Sequence, residues 1–170
     1  MNEEISIRRM TADDCEKIPE AFAAQNWNKP PVQYQKYLSE QTTGAREVLI
    51  AETGSEFAGY LTIVRQSDFL PFREKDLPEI VDFNVLIKFR NRGIGAKLME
   101  AAENLIAENY QTVGIRVGLT RDYGAAQRMY VKRGYVPDGL GISQAGNFLR
   151  YGDKITVDDS LNLHFIKELA

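Results

Sequence analysis

The sequence predicts an α/β protein, a mixed sheet of about seven strands covered by about four helices. Three observations predict it. The 170-residue chain is 44% hydrophobic and 26% charged, ordinary globular usage that argues against disorder or a fibrous repeat, and its length fits one domain over residues 1–170. Two strand-like runs flank Gly54, a hairpin signal. Further on, strand-like and helical periods alternate, and a hairpin followed by strand-helix-strand-helix-strand implies a mixed sheet with helices on its faces.

Ile5–Arg9 alternates apolar and polar residues as a short strand. Thr11 opens a helix, with Asp14 three residues later as its capping-box partner. Cys15, Ile18 and Phe22 recur at helical spacing, which puts Cys15 in the core. Asn26–Pro31 breaks this helix, and Tyr34–Gln41 reads as a second one ended by Gly44. Glu47–Glu52 and Glu56–Val64 are the hairpin strands. Ser67–Pro78, with two prolines and five charged residues, reads as a loop, and Glu79–Ile87 as a third long strand. Arg90–Gly95 is a glycine-containing turn into a helix with Ile94, Leu98, Ala101, Ala102 and Leu105 on one apolar face. Thr112–Val117 is a strand, and Tyr123–Arg133 a helix closed by Gly134. Tyr135 and Val136 begin another strand, Gly139–Ser160 is loop-rich with weak hairpin potential, and Leu161, Leu163 and Phe165 alternate in a last strand. His164 falls on the opposite face of that strand and is expected to be exposed or half-exposed, with no triad partners.

Composition excludes several classes. One cysteine and one histidine permit no internal disulfide and no Cys/His zinc centre, so no metal is expected. The N-terminal Met1-Asn2-Glu3-Glu4-Ile5 lacks a secretory pattern, and no apolar run approaches the roughly 18 residues of a membrane span. A cytoplasmic protein without membrane attachment is expected. A net charge of −3 argues against a protein whose work is gripping nucleic acid.

The informative stretch is Val85–Met99, a strand, a tight glycine turn and a helix start. Gly93 and Gly95 let the backbone approach a ligand, and first-turn helix amides suit a phosphate. Lys88, Arg90, Arg92 and Lys97 place four positive charges in residues 86–99, which hold no acid. The Walker pattern is absent, and Leu98 occupies the position where a dinucleotide fingerprint needs a small residue. What fits is Arg/Gln-x-x-Gly-x-Gly/Ala, as Arg90-Asn91-Arg92-Gly93-Ile94-Gly95. A second segment runs from Tyr123 through Ala126 and Tyr130 to Gly134-Tyr135.

These two segments, in this order and spacing, resemble the pyrophosphate loop and the later Asn-x-x-Ala-x-x-x-Tyr-x-x-x-Gly-aromatic helix of the GNAT superfamily of acyl-CoA-dependent N-acetyltransferases. The order of elements extends the resemblance over Ile5–Leu169. It implies a mostly antiparallel GNAT-like sheet and transfer of an acetyl group from acetyl-CoA directly to a primary amine. Two positions depart from the family pattern. Tyr123 stands where the family has asparagine. Asn91 stands where it usually has glycine, which asks Asn91 to adopt an unusual backbone conformation.

The resemblance implies roles. Amides of Arg92, Gly93, Ile94, Gly95 and Ala96 would contact the pyrophosphate, with Arg90, Arg92 and Lys97 adding charge. Val85 and Ile87 would pair with the pantetheine arm like an added strand, a backbone N–H near Phe83–Val85 would polarise the thioester carbonyl, and Tyr123 and Tyr130 would face the cofactor. Tyr130 matches the tyrosine that protonates the leaving thiolate. For the base, Glu79 holds the position of the glutamate in the histone-acetylating branch; Asp82 and a water relay stay open, and a bulge could re-aim either carboxylate. The acceptor, a small molecule or a peptide, would meet Trp27, Tyr34, Phe69, Phe72 and the segment Gly141–Tyr151, with Asp68 and Glu74 suiting a cationic amine. The alternative is a non-catalytic acyl-CoA sensor or scaffold of the same fold. Family members are often homodimers, which an exposed final strand would allow.

Overall fold

The computed structural model describes residues 4–169. Met1–Glu3, part of the N-terminal stretch read for a secretory pattern, lie outside the described residues. The expected class is observed, α/β with mostly antiparallel strands, but with eight strands and five α-helices among the described residues rather than about seven and four. By internal contacts the chain forms two compact units, one running to Arg65 and adding Ile80–Leu105, the other Gln66–Glu79 with the chain from Ile106 onward.

In the first unit β1 (Ile5–Arg9), β2 (Arg46–Thr53), β3 (Glu56–Val64) and β4 (Glu79–Val85, apart from its first residue) lie in that order. The hairpin pairs Arg46 with Val64 at one end and Thr53 with Glu56 at the other. Its strands are buried almost continuously, as runs covered on both faces should be. Two helices pack on them, α1 (Asp14–Ala23) and α2 (Pro31–Thr42). Thr11 donates its N–H to Asp14 Oδ2 at 2.8 Å, the reciprocal half of the expected capping box, although the regular helix starts only at Asp14. Ile18 and Phe22 are fully buried and Cys15 nearly so; each such aliphatic or aromatic side chain contributes roughly 1.5–3 kcal/mol. α2 starts earlier than expected because Pro31 sits at its first position, where a missing N–H is harmless.

The second unit has the order β5 (Thr112–Gly118), β8 (Leu161–Glu168), β6 (Val136–Gln144), β7 (Asn147–Phe148), with α3 (Leu70–Glu74) and α5 (Gly124–Lys132). α4 (Ile94–Ala107) begins in the first unit.

Four expectations need correction. Ser67–Pro78 is not all loop: Phe69 and Phe72, buried with ring centroids 5.0 Å apart, anchor α3, and the charged residues are its wet face. Gly139–Ser160 hides most of β6 and all of β7. Gly139 and Gly141 take positive φ where the β6–β8 register slips, and Ala145-Gly146 forms the two-residue turn with φ of 48° and 81°. The last strand is no exposed edge, since β8 lies between β5 and β6. His164 is fully buried rather than half-exposed.

Candidate functional site

β4 stops at Val85 rather than Ile87. Leu86 still donates its N–H to Ala58 O at 2.9 Å, and then Ile87–Phe89 turns in a short 3-10 helix. Ile87 is therefore not a strand residue, and its N–H donates to Gln25 Oε1 at 3.0 Å. Asn91 has φ +60° and Gly93 φ +82°, so asparagine adopts the left-handed geometry that its position demands. The exposed turn Arg90–Gly93 leads straight into α4. Lys97 N–H bonds back to Gly93 O at 3.0 Å, which closes the first turn of α4. Nothing stands within 4 Å of where a Gly93 side chain would begin. An open turn, first-turn amides and an exposed Arg92 fit a pyrophosphate group.

All four cations there have protein contacts, and the Arg92 guanidinium lies 5.5 Å over the Phe89 ring. Arg90 Nε donates to Val85 O at 3.2 Å, and its guanidinium lies 5.4 Å over the Trp27 ring. Lys97 Nζ donates to Ile5 O at 3.4 Å, and Lys88 pairs with Glu56.

Asp82 lies in β4 with φ +49°, a left-handed kink inside a strand. Its carboxylate gathers donors from α2, β3, β4 and the segment between α1 and α2. Oδ2 accepts from Tyr60 (2.6 Å), Gln33 (2.8 Å) and Tyr37 (3.0 Å), and Oδ1 from Asn84 (2.8 Å) and Lys29 Nζ (3.2 Å). Burial, then the Asp82 charge, pushes the Tyr37 phenol up to about 12 and the Tyr60 phenol higher still, so both remain donors at neutral pH. Gly59 lies directly beneath this part of β4: a side chain there would start 2.6 Å from Asn84 O.

Glu79 is 1% exposed. Arg116 grips it, Nε to Oε1 at 2.6 Å, and Ser67 Oγ donates to Oε2. Burial pushes the Glu79 carboxyl up, and Arg116 opposes that shift. Tyr130 is 4% exposed on α5, and burial holds its phenol protonated, above its ordinary range. Tyr123 packs its ring on Gly118 and donates to Asp159 at 3.2 Å. Of the aromatics expected near an acceptor, Tyr34, Phe69 and Phe72 are buried packing residues, while Trp27 is half-buried and stacked on Phe22. Asp68 is an ion-pair partner of Arg116, Glu74 is exposed, and Gly141–Tyr151 contributes Ile142, Ser143 and Gln144 to pairing with β8.

Sequence reasoning missed Lys29, Gln33, Tyr37, Tyr60 and Asn84, which contact Asp82 from remote positions. It also missed that Ser143 Oγ and His164 Nε2 stand 2.7 Å apart, with Asp138 Oδ2 3.6 Å from His164 Nδ1. Ser143 is 1% exposed, so this trio has the residue types of a hydrolytic triad without access for a substrate.

The Acetyltransferase (GNAT) family profile matches residues 11–135, and the chain belongs to that family. Its folded shape is similar to three solved structures. The Salmonella typhimurium protein yncA with its cofactor acetyl-CoA is 18% identical (98% of this chain, 94% of that one, TM-score 0.70). Ard1 from Thermoplasma volcanium is 20% identical (98% and 98%, TM-score 0.70). The ribosomal-protein-S18-alanine N-acetyltransferase of Escherichia coli is 11% identical (98% and 95%, TM-score 0.70). No curated protein matches the chain in sequence. The family uses acetyl-CoA as acyl donor, which makes this chain an acetyltransferase by membership. Among the described residues no helix is long and apolar enough to cross a membrane, and no group of three or more His, Cys, Asp or Glu could hold a metal ion.

Proposed function

We propose that residues 1–170 act as one N-acetyltransferase domain that moves the acetyl group of acetyl-CoA to a primary amine. The observation that carries the reading is the turn Arg90–Gly93 with Asn91 and Gly93 in left-handed geometry, opening α4 beside exposed Arg92. Acetyl-CoA supplies an activated acyl group on a thiol that leaves readily. The chain's residues do the rest. Amides of Arg92–Ala96, with Arg90, Arg92 and Lys97, hold the pyrophosphate, and Val85 lies along the arm beyond it. Ile87 contributes through the turn it begins rather than as a strand partner, because Gln25 already takes its N–H. A backbone N–H between Phe83 and Val85 stabilises the carbonyl oxygen as it gains charge.

The acceptor nitrogen must attack unprotonated. A carbon–nitrogen bond forms, the carbon–sulfur bond breaks, and Tyr130 gives its proton to the departing sulfur, with Tyr123 facing the cofactor from just before α5. The amine's proton passes to Glu79, Asp82 or a water relay. Both carboxylates already accept hydrogen bonds, which supports the relay. A Glu79→Gln enzyme that loses turnover at neutral pH and regains it at high pH would name Glu79. The acceptor is a small molecule or a peptide, nucleic acid and membranes are not partners, and the cytoplasm is the site of action. A homodimer would have to form on a surface other than β8.

Calorimetry with coenzyme A and acetyl-CoA tests the reading, followed by thiol release with a panel of amines. Saturable binding and amine-dependent release are expected. Absence of binding up to millimolar concentration would overturn it, and binding without turnover on any amine would leave a sensor.

A further inference from the structure

Lys29 sits where a ligand's ammonium would be expected. Its Nζ is 3.2 Å from Asp82 Oδ1 and 3.4 Å from the Tyr60 hydroxyl, 5.6 Å from the Phe22 ring centroid and 5.9 Å from that of Tyr60. A carboxylate, a hydroxyl oxygen and two aromatic faces around one nitrogen are the chemistry that recognises an alkylammonium. The carboxylate is held for this task. Tyr60, Tyr37, Gln33 and Asn84 fix both of its oxygens, Tyr34 donates to Tyr60 at 3.1 Å, and the backbone of Asp82 is in a conformation that non-glycine residues rarely adopt. Lys29 itself is the least anchored member. It reaches the cage from the segment between α1 and α2, its bond to Asp82 is the longest of the five, and both partners are 20% exposed. Both groups of the pair keep some contact with water, so an ammonium from solution can reach the carboxylate and compete with Lys29 for it.

We propose that Phe22, Tyr60 and Asp82 form an ammonium cage that Lys29 fills in the resting protein, and that the acceptor is a primary alkylammonium that displaces it. This rests on the acetyltransferase reading. The acceptor class that follows is an amine at the end of an unbranched methylene stem, because the present occupant is one. Lys29 then acts as an internal competitor that keeps the cage closed to weak ligands. It is a specificity-determining residue and touches no reacting atom.

The probe is n-butylammonium chloride, used on the full chain with Lys29→Ala and with the double variant Lys29→Ala, Asp82→Asn. Coenzyme A calorimetry on each variant comes first and reports separately on the acetyltransferase reading. The thermal midpoint of Lys29→Ala should rise saturably with n-butylammonium, by more than that of the native chain, and should not rise with sodium chloride or in the double variant. If Lys29 fills the cage about nine-tenths of the time, KM for n-butylamine in the acetyl-transfer assay falls about tenfold in Lys29→Ala. Lys29→Gln should move KM in the same direction, which covers poor folding of the alanine variant. Variants that bind coenzyme A normally but show an unchanged KM and no butylammonium-specific rise would overturn the cage. So would an equal rise in the double variant.

Discussion

Arg116 holds Glu79 through two nitrogens, Nε to Oε1 at 2.6 Å and Nη2 to Oε2 at 3.2 Å. The carboxylate is buried, so the guanidinium replaces the water that Glu79 gave up on folding.

Removing Arg116 leaves that carboxylate without its cation. Arg116→Ala should cost about 3 kcal/mol in urea unfolding. Adding Glu79→Gln should recover part of the loss, because the group left behind is then neutral. A single variant within about 0.5 kcal/mol of the native chain would show that the pair is not holding the fold.

Gly59 governs how close β3 comes to β4. A methyl group there would meet Asn84 O at 2.6 Å and the Val85 Cα at 3.0 Å, both backbone atoms that cannot swing aside. Gly59→Ala should lower stability by about 1–3 kcal/mol. It should also weaken acetyl-CoA binding, by moving Val85 and the turn that follows. Unchanged unfolding and unchanged calorimetry together would contradict this.

His164 gives a pH dependence of known sign. Burial lowers its pKa below the ordinary value, aided by Arg116 and opposed by Asp138. The unfolded chain therefore takes up the proton first, near pH 6.5. Stability linked to neutral His164 is complete above that pH and declines as pH falls through the lower folded value. Thermal midpoints measured from pH 8 to pH 5 should drop more steeply for the native chain than for His164→Gln. Parallel curves would show that the imidazole does not titrate with folding.

Tyr130 tests the acid assignment. Its phenol stays protonated across the working pH range. Tyr130→Phe should reduce kcat by about 100-fold and leave coenzyme A affinity within a few-fold of native. Full turnover in that variant would remove Tyr130 from the chemistry and leave it as a packing partner of Tyr135, whose ring centroid is 5.8 Å away.

The fold and the loop could be read from the sequence because their signals are local. Gly93, the asparagine at 91 and the helix face from Ile94 all lie within one short stretch. The surroundings of Asp82 could not be read, because Lys29, Gln33, Tyr37 and Tyr60 come from far away in the chain and none follows a motif. The same holds for His164. Alternation gave the face on which it lies, but Ser143 and Asp138, which cover it, belong to a strand interrupted by glycines and a register slip. Phe69 and Phe72 read as acceptor aromatics for a related reason: a charged, proline-containing stretch looks wet from sequence, while in the fold its two rings are its anchor.

Gln25 and Trp27 tie the segment after α1 to the start of the turn that leads into α4, one through Ile87 and the other beneath Arg90. That segment also delivers Lys29. Whatever stiffens the turn should therefore quiet residues 24–30 as well, so donor and acceptor would sense each other through a shared hinge without direct contact.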